Sequence, residues 1–421
     1  MKLPLLIMAY GQSNADQHVA RPRLDSPLLA DEQVITLTSG IGTRGRWYCP
    51  EGTLMPDRVA DFTRDGRRVK AADIGPVLPA TMHEVRGTSL LHAAGAVARA
   101  LRQAPACAVR AASKGGLRFV SLPGRAGVSG IYRLADGGIS PILTGLIEDA
   151  AQLAGHLADM TGARPTRCDI LFLHGEADRS TPTEAYVAQF REARAEIAQG
   201  LAAHGLAPRW IVTQPAGTSP RGDGNAWQSR RAILMALADD PTLVFAGPLY
   251  PYPLDDHIRY DATGKALIGE LCGRIIATLD AGEDWITPMP TGWRVNGAEL
   301  SVDFAAAEPL VLDPDAEAVG IAGFETAGGP SVRSVALDGP QTVRVSLEAA
   351  PQAPFRLNYA FHRSLGRGNT AEPPLHPVGR GALRTGWAEP SLLLPDRMLH
   401  KWAPGFTLQI DPAKGAGSFT A

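Results

Sequence analysis

Cysteine is scarce. Four stand in 421 residues, Cys49, Cys107, Cys168 and Cys272, and no two form a C-x-x-C pair. That spacing excludes a disulfide scaffold and a zinc-binding motif, and leaves reduced, buried thiols. A charge excess of one sign is also missing. The 41 Lys and Arg stand against 43 Asp and Glu, a net of −2, without the basic excess of a dedicated nucleic-acid binder. No apolar run is long enough to span a bilayer. The opening MKLPLLIMAY has one Lys and a short apolar run. It lacks a small-residue cleavage site before the polar GQSN, so it reads as a buried first strand rather than a signal peptide. The chain is therefore expected to be cytoplasmic as synthesised, with release by lysis or another non-standard route left open. No H-E-x-x-H, P-loop or dinucleotide fingerprint appears, and no metal or cofactor is expected. There is no internal repeat and no low-complexity tract.

What remains is an ordinary globular composition, 45% hydrophobic and 20% charged, with enough apolar residues for a sizeable core. Up to about residue 280 the chain alternates short apolar runs with helical periods. The strand candidates are 3–9, 106–112, 169–174, 210–214 and 243–246; the helical candidates are 88–103, 142–160, 183–204, 225–237 and 262–279. In the last helix Leu267, Leu271, Ile275 and Leu279 recur every fourth residue, with Ile268, Cys272 and Ile276 beside them. Asp261 reads as its cap. Thr181, Pro182 and Glu184 read as the start of the third helix, with Thr181 as cap and Pro182 in the first turn. Strands alternating with such helices predict βαβ units and a parallel sheet. Residues 19–86 and 117–140 interrupt the pattern with Gly- and Arg-rich stretches. Both leave strand ends, where long loops can wall a cleft. After about residue 281 the period becomes two, as in Leu300, Val302, Phe304 and Val343, Val345, Leu347. This predicts antiparallel strands. Residues 1–283 are read as an α/β domain and 284–421 as a β-sandwich-like accessory domain.

Four polar clusters follow predicted strands: Gly11-Gln12-Ser13-Asn14, Ser113-Lys114-Gly115-Gly116, the run from His174 to Asp178, and Asp255-Asp256-His257. In an open parallel sheet the carboxyl ends of the strands share one edge, where ligands bind. Each cluster taken alone has an ordinary reading, as a turn, a helix cap or a carboxylate at a helix start. Together, a serine, a histidine, acids and glycine turns on one edge are the parts of nucleophilic acyl transfer.

These residues carry a resemblance. GQSN after the first strand, a glycine pair after the second, G-E-x-D after the third and a late Asp…His running into HIRYDATGKALIG resemble the SGNH hydrolases. The likeness is to sialate O-acetylesterases and the acetylxylan esterases of carbohydrate esterase family six, over roughly residues 1–280. It implies a three-layer α/β/α, flavodoxin-like domain with a five-stranded parallel sheet in the order 2-1-3-4-5. It implies Ser13 as nucleophile, His257 as general base, and the N–H groups of Ser13 and of Gly115 or Gly116 as oxyanion donors. The family has an Asp three residues before its histidine, where this chain has Leu254. Asp255 is favoured as the orienting acid over Asp256, and a Ser-His dyad stays open. The relatives' Q-G-E is answered by His174-Gly175-Glu176, and Glu176 is expected to order the Ser13 loop by accepting hydrogen bonds from Gln12 or backbone N–H groups. The implied function is hydrolysis of O-acetyl esters on an acetylated carbohydrate. The alternatives are a carbohydrate-binding or attachment protein that uses the fold as a recognition surface, and an esterase acting on small acyl compounds. The β-rich domain, which holds no comparable group, is expected to supply attachment to a larger assembly or polymer binding.

Overall fold

The computed structural model describes residues 2–15, 20, 22–37, 88–120, 130–216, 228–256, 258–360 and 380–420, with the backbone of three short strands between 59 and 81. The first strand, β1 (Leu5–Gly11), is buried at every position. Its two faces serve different cores. Leu5, Ile7 and Ala9 point into one, and Leu6, Met8 and Tyr10 into the other. A strand buried on both faces has to be central, and β1 lies between β6 (Cys107–Ser113) and β7 (Arg167–Leu173), parallel to both.

Around this centre come β2 (Val34–Leu37), a hairpin of β3 (Val59–Phe62) and β4 (Arg68–Lys70), β5 (Pro79–Thr81), β8 (Ala207–Gln214) and β9 (Val244–Pro248). Among the described residues the main sheet has seven strands in the order β5-β2-β6-β1-β7-β8-β9. Six are parallel, and β5 runs antiparallel on the edge beside β2. The expected order holds for the five strands read from the sequence, β6-β1-β7-β8-β9. The sheet is wider than expected because β2 and β5 fall within 19–86, where strands of four and three residues are too short to set up a period.

Helices α1 (Leu90–Arg102) and α5 (Ala262–Asp280) cover one face; α2 (Pro141–Thr161), α3 (Thr183–Ala202) and α4 (Gln228–Asp239) cover the other. The α5 stripe is buried as its period predicts, at Leu267, Ile268, Leu271, Cys272, Ile275 and Ile276. Each such side chain contributes about 1.5–3 kcal/mol on leaving water. Asp261 caps α5 by accepting from the Gly264 N–H at 2.7 Å. The start of α3 differs from expectation. The helix begins at Thr183, no side chain caps it, and the Thr181 hydroxyl donates instead to Asp178 Oδ1 at 2.6 Å. Cys107, Cys168 and Cys272 are free and buried, and burial pushes all three thiols up, Cys272 to about 12. Cys49 lies outside the described residues. Among the described residues no helix is long and apolar enough to cross a membrane.

Residues 289–420 form separate antiparallel sheets of five, three and three strands. The alternation is exact in burial along Glu299–Ala305, where Leu300, Val302 and Phe304 point inward. One apolar core runs from the α1/α5 face of the main sheet into this region, through Tyr250 and Trp285 to Phe304, Tyr359 and Phe406. Polar contacts fasten the two. Gln214, at the end of β8, donates to the Gly405 carbonyl and accepts from the Gly405 N–H, both at 2.8 Å. The Tyr250 hydroxyl donates to the Ala403 carbonyl at 2.9 Å, and Arg230 Nη2 to the Ala360 carbonyl at 2.8 Å. On α5 the fully buried Glu270 accepts from Arg274 Nε at 2.9 Å, Ser391 Oγ at 2.5 Å, and the N–H groups of Leu392 and Leu393 at 2.7 and 3.2 Å.

Candidate active site

The turn that carries Ser13 is fixed from both sides of β1. The Gln12 N–H donates to the Leu173 carbonyl at 3.1 Å, and the Lys114 N–H donates to the Gly11 carbonyl at 3.3 Å. Gly11 is required here. Its φ is +156°, and a Cβ would run into the Leu173 carbonyl oxygen. The turn closes with the Ala15 N–H on the Gln12 carbonyl at 2.9 Å. Gln12, Ser13 and Asn14 are all buried, with Ser13 5% exposed.

The glycine pair after β6 meets this turn at one residue. A Cβ on Gly115 would lie 3.3 Å from Ser13 Cβ and 3.8 Å from Ser13 Cα, so Gly115 adjoins Ser13 without room to spare for a side chain. Gly116 has a left-handed φ of +77° and would place nothing within 4 Å. It supplies the turn, and Gly115 adjoins Ser13. The stretch that follows is held by the third cluster. Asp178 Oδ2 accepts from the Phe119 N–H at 2.8 Å, and the His174 ring nitrogens lie 3.0 Å from the Leu117 carbonyl and 3.0 Å from the Tyr186 hydroxyl. His174 is wholly buried, and burial lowers its pKa. With both nitrogens occupied it is a brace and not a metal ligand. Among the described residues no group of three His, Cys, Asp or Glu could hold a metal ion.

Glu176 meets the Ser13 loop through a different residue than expected. Gln12 does not reach it; Gln12 Oε1 accepts from the Ala177 N–H at 3.1 Å. The donor to Glu176 Oε1 is Asn14 Nδ2, at 2.8 Å. Asn14 Nδ2 also donates to the Ile258 carbonyl at 3.0 Å. Asn14 is thus the residue that sequence reasoning missed. Its cluster alone reads as a turn or a cap, and the available signal is the place of Asn14 in GQSN, directly after Ser13. Burial raises the Glu176 carboxyl to about 7, against the lowering effects of its own N–H and the Asn14 amide.

The fourth cluster is a tight loop between Leu254 and Tyr260, which bridge to one another, closed by the Asp255 N–H on the Arg259 carbonyl at 2.8 Å. Asp256 is committed to that loop. It accepts from the N–H groups of Ile258 and Arg259 at 2.8 and 2.6 Å and pairs with the Arg259 guanidinium at 2.5 Å. Burial pushes its carboxyl up, but these bonds together hold it below the usual value. Asp255 is exposed, and its carboxylate has no partner among the described residues. His257 lies outside the described residues. Its chain neighbour Ile258 is the residue that Asn14 holds.

A seven-stranded, largely parallel sheet between two helical layers, with GQSN, Gly115 and HGEAD meeting at one edge, defines an SGNH-type fold with an appended β-rich region. Comparison with solved structures agrees. The chain is similar to a carbohydrate acetylesterase from Xanthomonas citri over 96% of this chain and 80% of that one, with a TM-score of 0.56 and 14% identity. The match therefore extends into the β-rich region. More distant likenesses are a protein of Arabidopsis thaliana (66% of this chain, 98% of that one, TM-score 0.39, 13% identity) and the carbohydrate acetylesterase Est24 from Sinorhizobium meliloti (66%, 100%, 0.33, 14%). At these identities the likeness is one of fold. No protein-family profile matches the chain, and no curated protein matches it in sequence.

Proposed function

We propose that the protein is a serine esterase that hydrolyses O-acetyl esters on a carbohydrate through an acyl-serine intermediate. The observation that carries this reading is the Asn14 amide on the Ile258 carbonyl at 3.0 Å, across 244 residues of sequence. It joins the immediate neighbours of Ser13 and His257. The carbohydrate ester as substrate is supported by the likeness to the Xanthomonas citri acetylesterase.

In the proposed reaction Ser13 Oγ attacks the acetyl carbonyl as His257 takes its proton. The N–H groups of Ser13 and Gly115 receive the oxyanion. Gly115 is favoured over Gly116 because it is the one that adjoins Ser13. Each such donor is worth about 10²–10³ in rate. The proton on His257 passes to the leaving sugar hydroxyl, and water then releases acetate by the same route. Asp255 is the proposed partner of the imidazole, since Asp256 already spends both oxygens on its own loop.

The test is hydrolysis of aryl acetate and of a panel of acetylated glycans by the full chain and by Ser13→Ala. Loss of about 10⁶ in turnover is expected for removal of a nucleophilic serine. Ser13→Ala within tenfold of the parent refutes the assignment. Glycan binding without any hydrolysis favours the attachment reading instead.

A further inference from the structure

Two buried oxygens beside the proposed nucleophile stand without hydrogen-bond partners among the described residues, Asn14 Oδ1 and Glu176 Oε2. They belong to the same two side chains that already share one bond, Asn14 Nδ2 to Glu176 Oε1 at 2.8 Å. A buried acceptor left unpaired is destabilising, and an unpaired buried carboxylate oxygen more so. The second oxygen of an amide and the second oxygen of a carboxylate are both acceptors and cannot satisfy one another. A single proton on the acid resolves both. We propose that Glu176 is held in its neutral form and donates Oε2–H to Asn14 Oδ1, closing a two-point acid–amide pair behind Ser13.

The surroundings favour the neutral acid. Glu176 and Asn14 are each 1% exposed. Asp178 and Arg179 share the Glu176 loop, and Arg179 Nη1 donates to the Glu176 carbonyl at 3.0 Å. Tyr186 on α3 and Tyr260 on the loop that holds Ile258 are fully buried, and a charge on Glu176 would raise both their hydroxyls further. Arg230 on α4 donates to the Ala360 carbonyl. His257 lies outside the described residues. Burial is the largest influence on the acid and brings it to about 7.

The pair gives Glu176 a positioning role. With both its amide oxygen and one N–H engaged by the acid, Asn14 is fixed in the orientation that leaves its other N–H on the Ile258 carbonyl. When Glu176 ionises, two acceptors face each other, the amide is no longer fixed, and the loop that carries His257 loosens. The proton also couples to folding. A carboxyl whose value rises from about 4.5 to about 7 on folding takes up a proton between those limits. Stability is then full below about 4.5 and falls as pH rises toward 7.

The effect on rate rests on the esterase reading; the proton itself does not. Infrared difference spectra of the full chain at pH 6, wild type minus Glu176→Gln, are expected to show the carbonyl band of a protonated carboxylic acid, and that band should fade as pH passes 7. Glu176→Gln keeps one acceptor and one donor for Asn14. It is expected to hold activity on aryl acetate within about threefold of wild type at pH 6 and to lose the fall in melting temperature between pH 5 and 8. A carboxylate band at pH 6, or Asn14→Asp retaining full rate across that range, overturns the proposal. If Glu176→Gln fails to fold, the wild-type band with carbon-13-labelled glutamate decides it. Absence of any ester hydrolysis with the acid band present refutes the esterase reading and leaves the pair intact.

Discussion

Replacing Glu270 by Ala tests whether the α/β and β-rich regions fold as one unit. The carboxylate is fully buried on α5 and accepts four bonds, one from Arg274 on its own helix and three from Ser391, Leu392 and Leu393 of the β-rich region. Removing one member of a buried pair costs about 3–5 kcal/mol, because the partner charge stays buried. Arg274 keeps the Pro390 carbonyl at 2.8 Å and its contact with Glu389, which places the loss toward the lower limit. The Leu392 N–H is orphaned and adds about 1 kcal/mol, while the Leu393 N–H keeps Ser391 Oγ at 3.2 Å. The expected total is about 3–5 kcal/mol. Urea unfolding followed by far-ultraviolet circular dichroism and by tryptophan fluorescence measures it, since Trp210 reports on β8 while Trp285 and Trp387 report on the other side. The shared core predicts coincident transitions that move together in Glu270→Ala. A loss under about 0.5 kcal/mol, or two transitions of which only the fluorescence one moves, refutes the reasoning. The outcome also tests residues 1–283 and 284–421 as separable domains, because a chain ending near residue 283 would leave Tyr250 and Gln214 facing water.

A fluorophosphonate probe is expected to label Ser13 in the wild-type chain and no residue in Ser13→Ala, read by peptide mass spectrometry. Gly115→Ala places a methyl 3.3 Å from Ser13 Cβ and is expected to lower kcat at least tenfold with melting temperature nearly unchanged. Unaltered kcat would show that the Gly115 backbone does not adjoin the reacting atoms. Asn14→Ala strands the Ile258 carbonyl and the Glu176 acid together and is expected to cost about 2–3 kcal/mol of stability, with kcat falling more than KM changes. Ester hydrolysis is expected to survive a chelator and a thiol reagent, and loss of activity restored by one divalent metal would point to metal-activated water instead.

The central sheet was legible because its strands are buried on both faces and its helices announce their own periods. The apolar run ending at Gly11 and the stripe from Leu267 to Ile276 are local properties of the chain. So was the cap at Asp261, whose partner Gly264 is three residues away. What was not legible depends on partners far away in sequence. Val34–Leu37 is a strand chiefly because β6 offers it an edge. Thr181 looks like a helix cap until Asp178 competes for its hydroxyl. Asn14 and Glu176 are 162 residues apart, and neither flanking sequence records the other. The same holds for Glu270 and Ser391, whose bond ties the two regions together across 121 residues. Candidate site residues could be gathered from strand ends, but which of them touch is a tertiary fact.

The position of β1 has a consequence for how the protein is made. This central strand is synthesised before its partners in the sheet, which begin at Cys107 and Asp169. Its two hydrogen-bonding edges must wait for nearly a hundred residues or more of further synthesis. The Ser13 turn cannot meet Ile258 until 244 more residues have followed Asn14, and Gln214 is sealed only by Gly405, 191 residues later. Contacts this distant in sequence make for slow folding. A nascent chain stalled after β8 therefore exposes adhesive strands and has no assembled site. Chaperone engagement early in translation, and completion of the fold only once Gly405 has emerged from the exit tunnel, are the expected behaviour of such a topology.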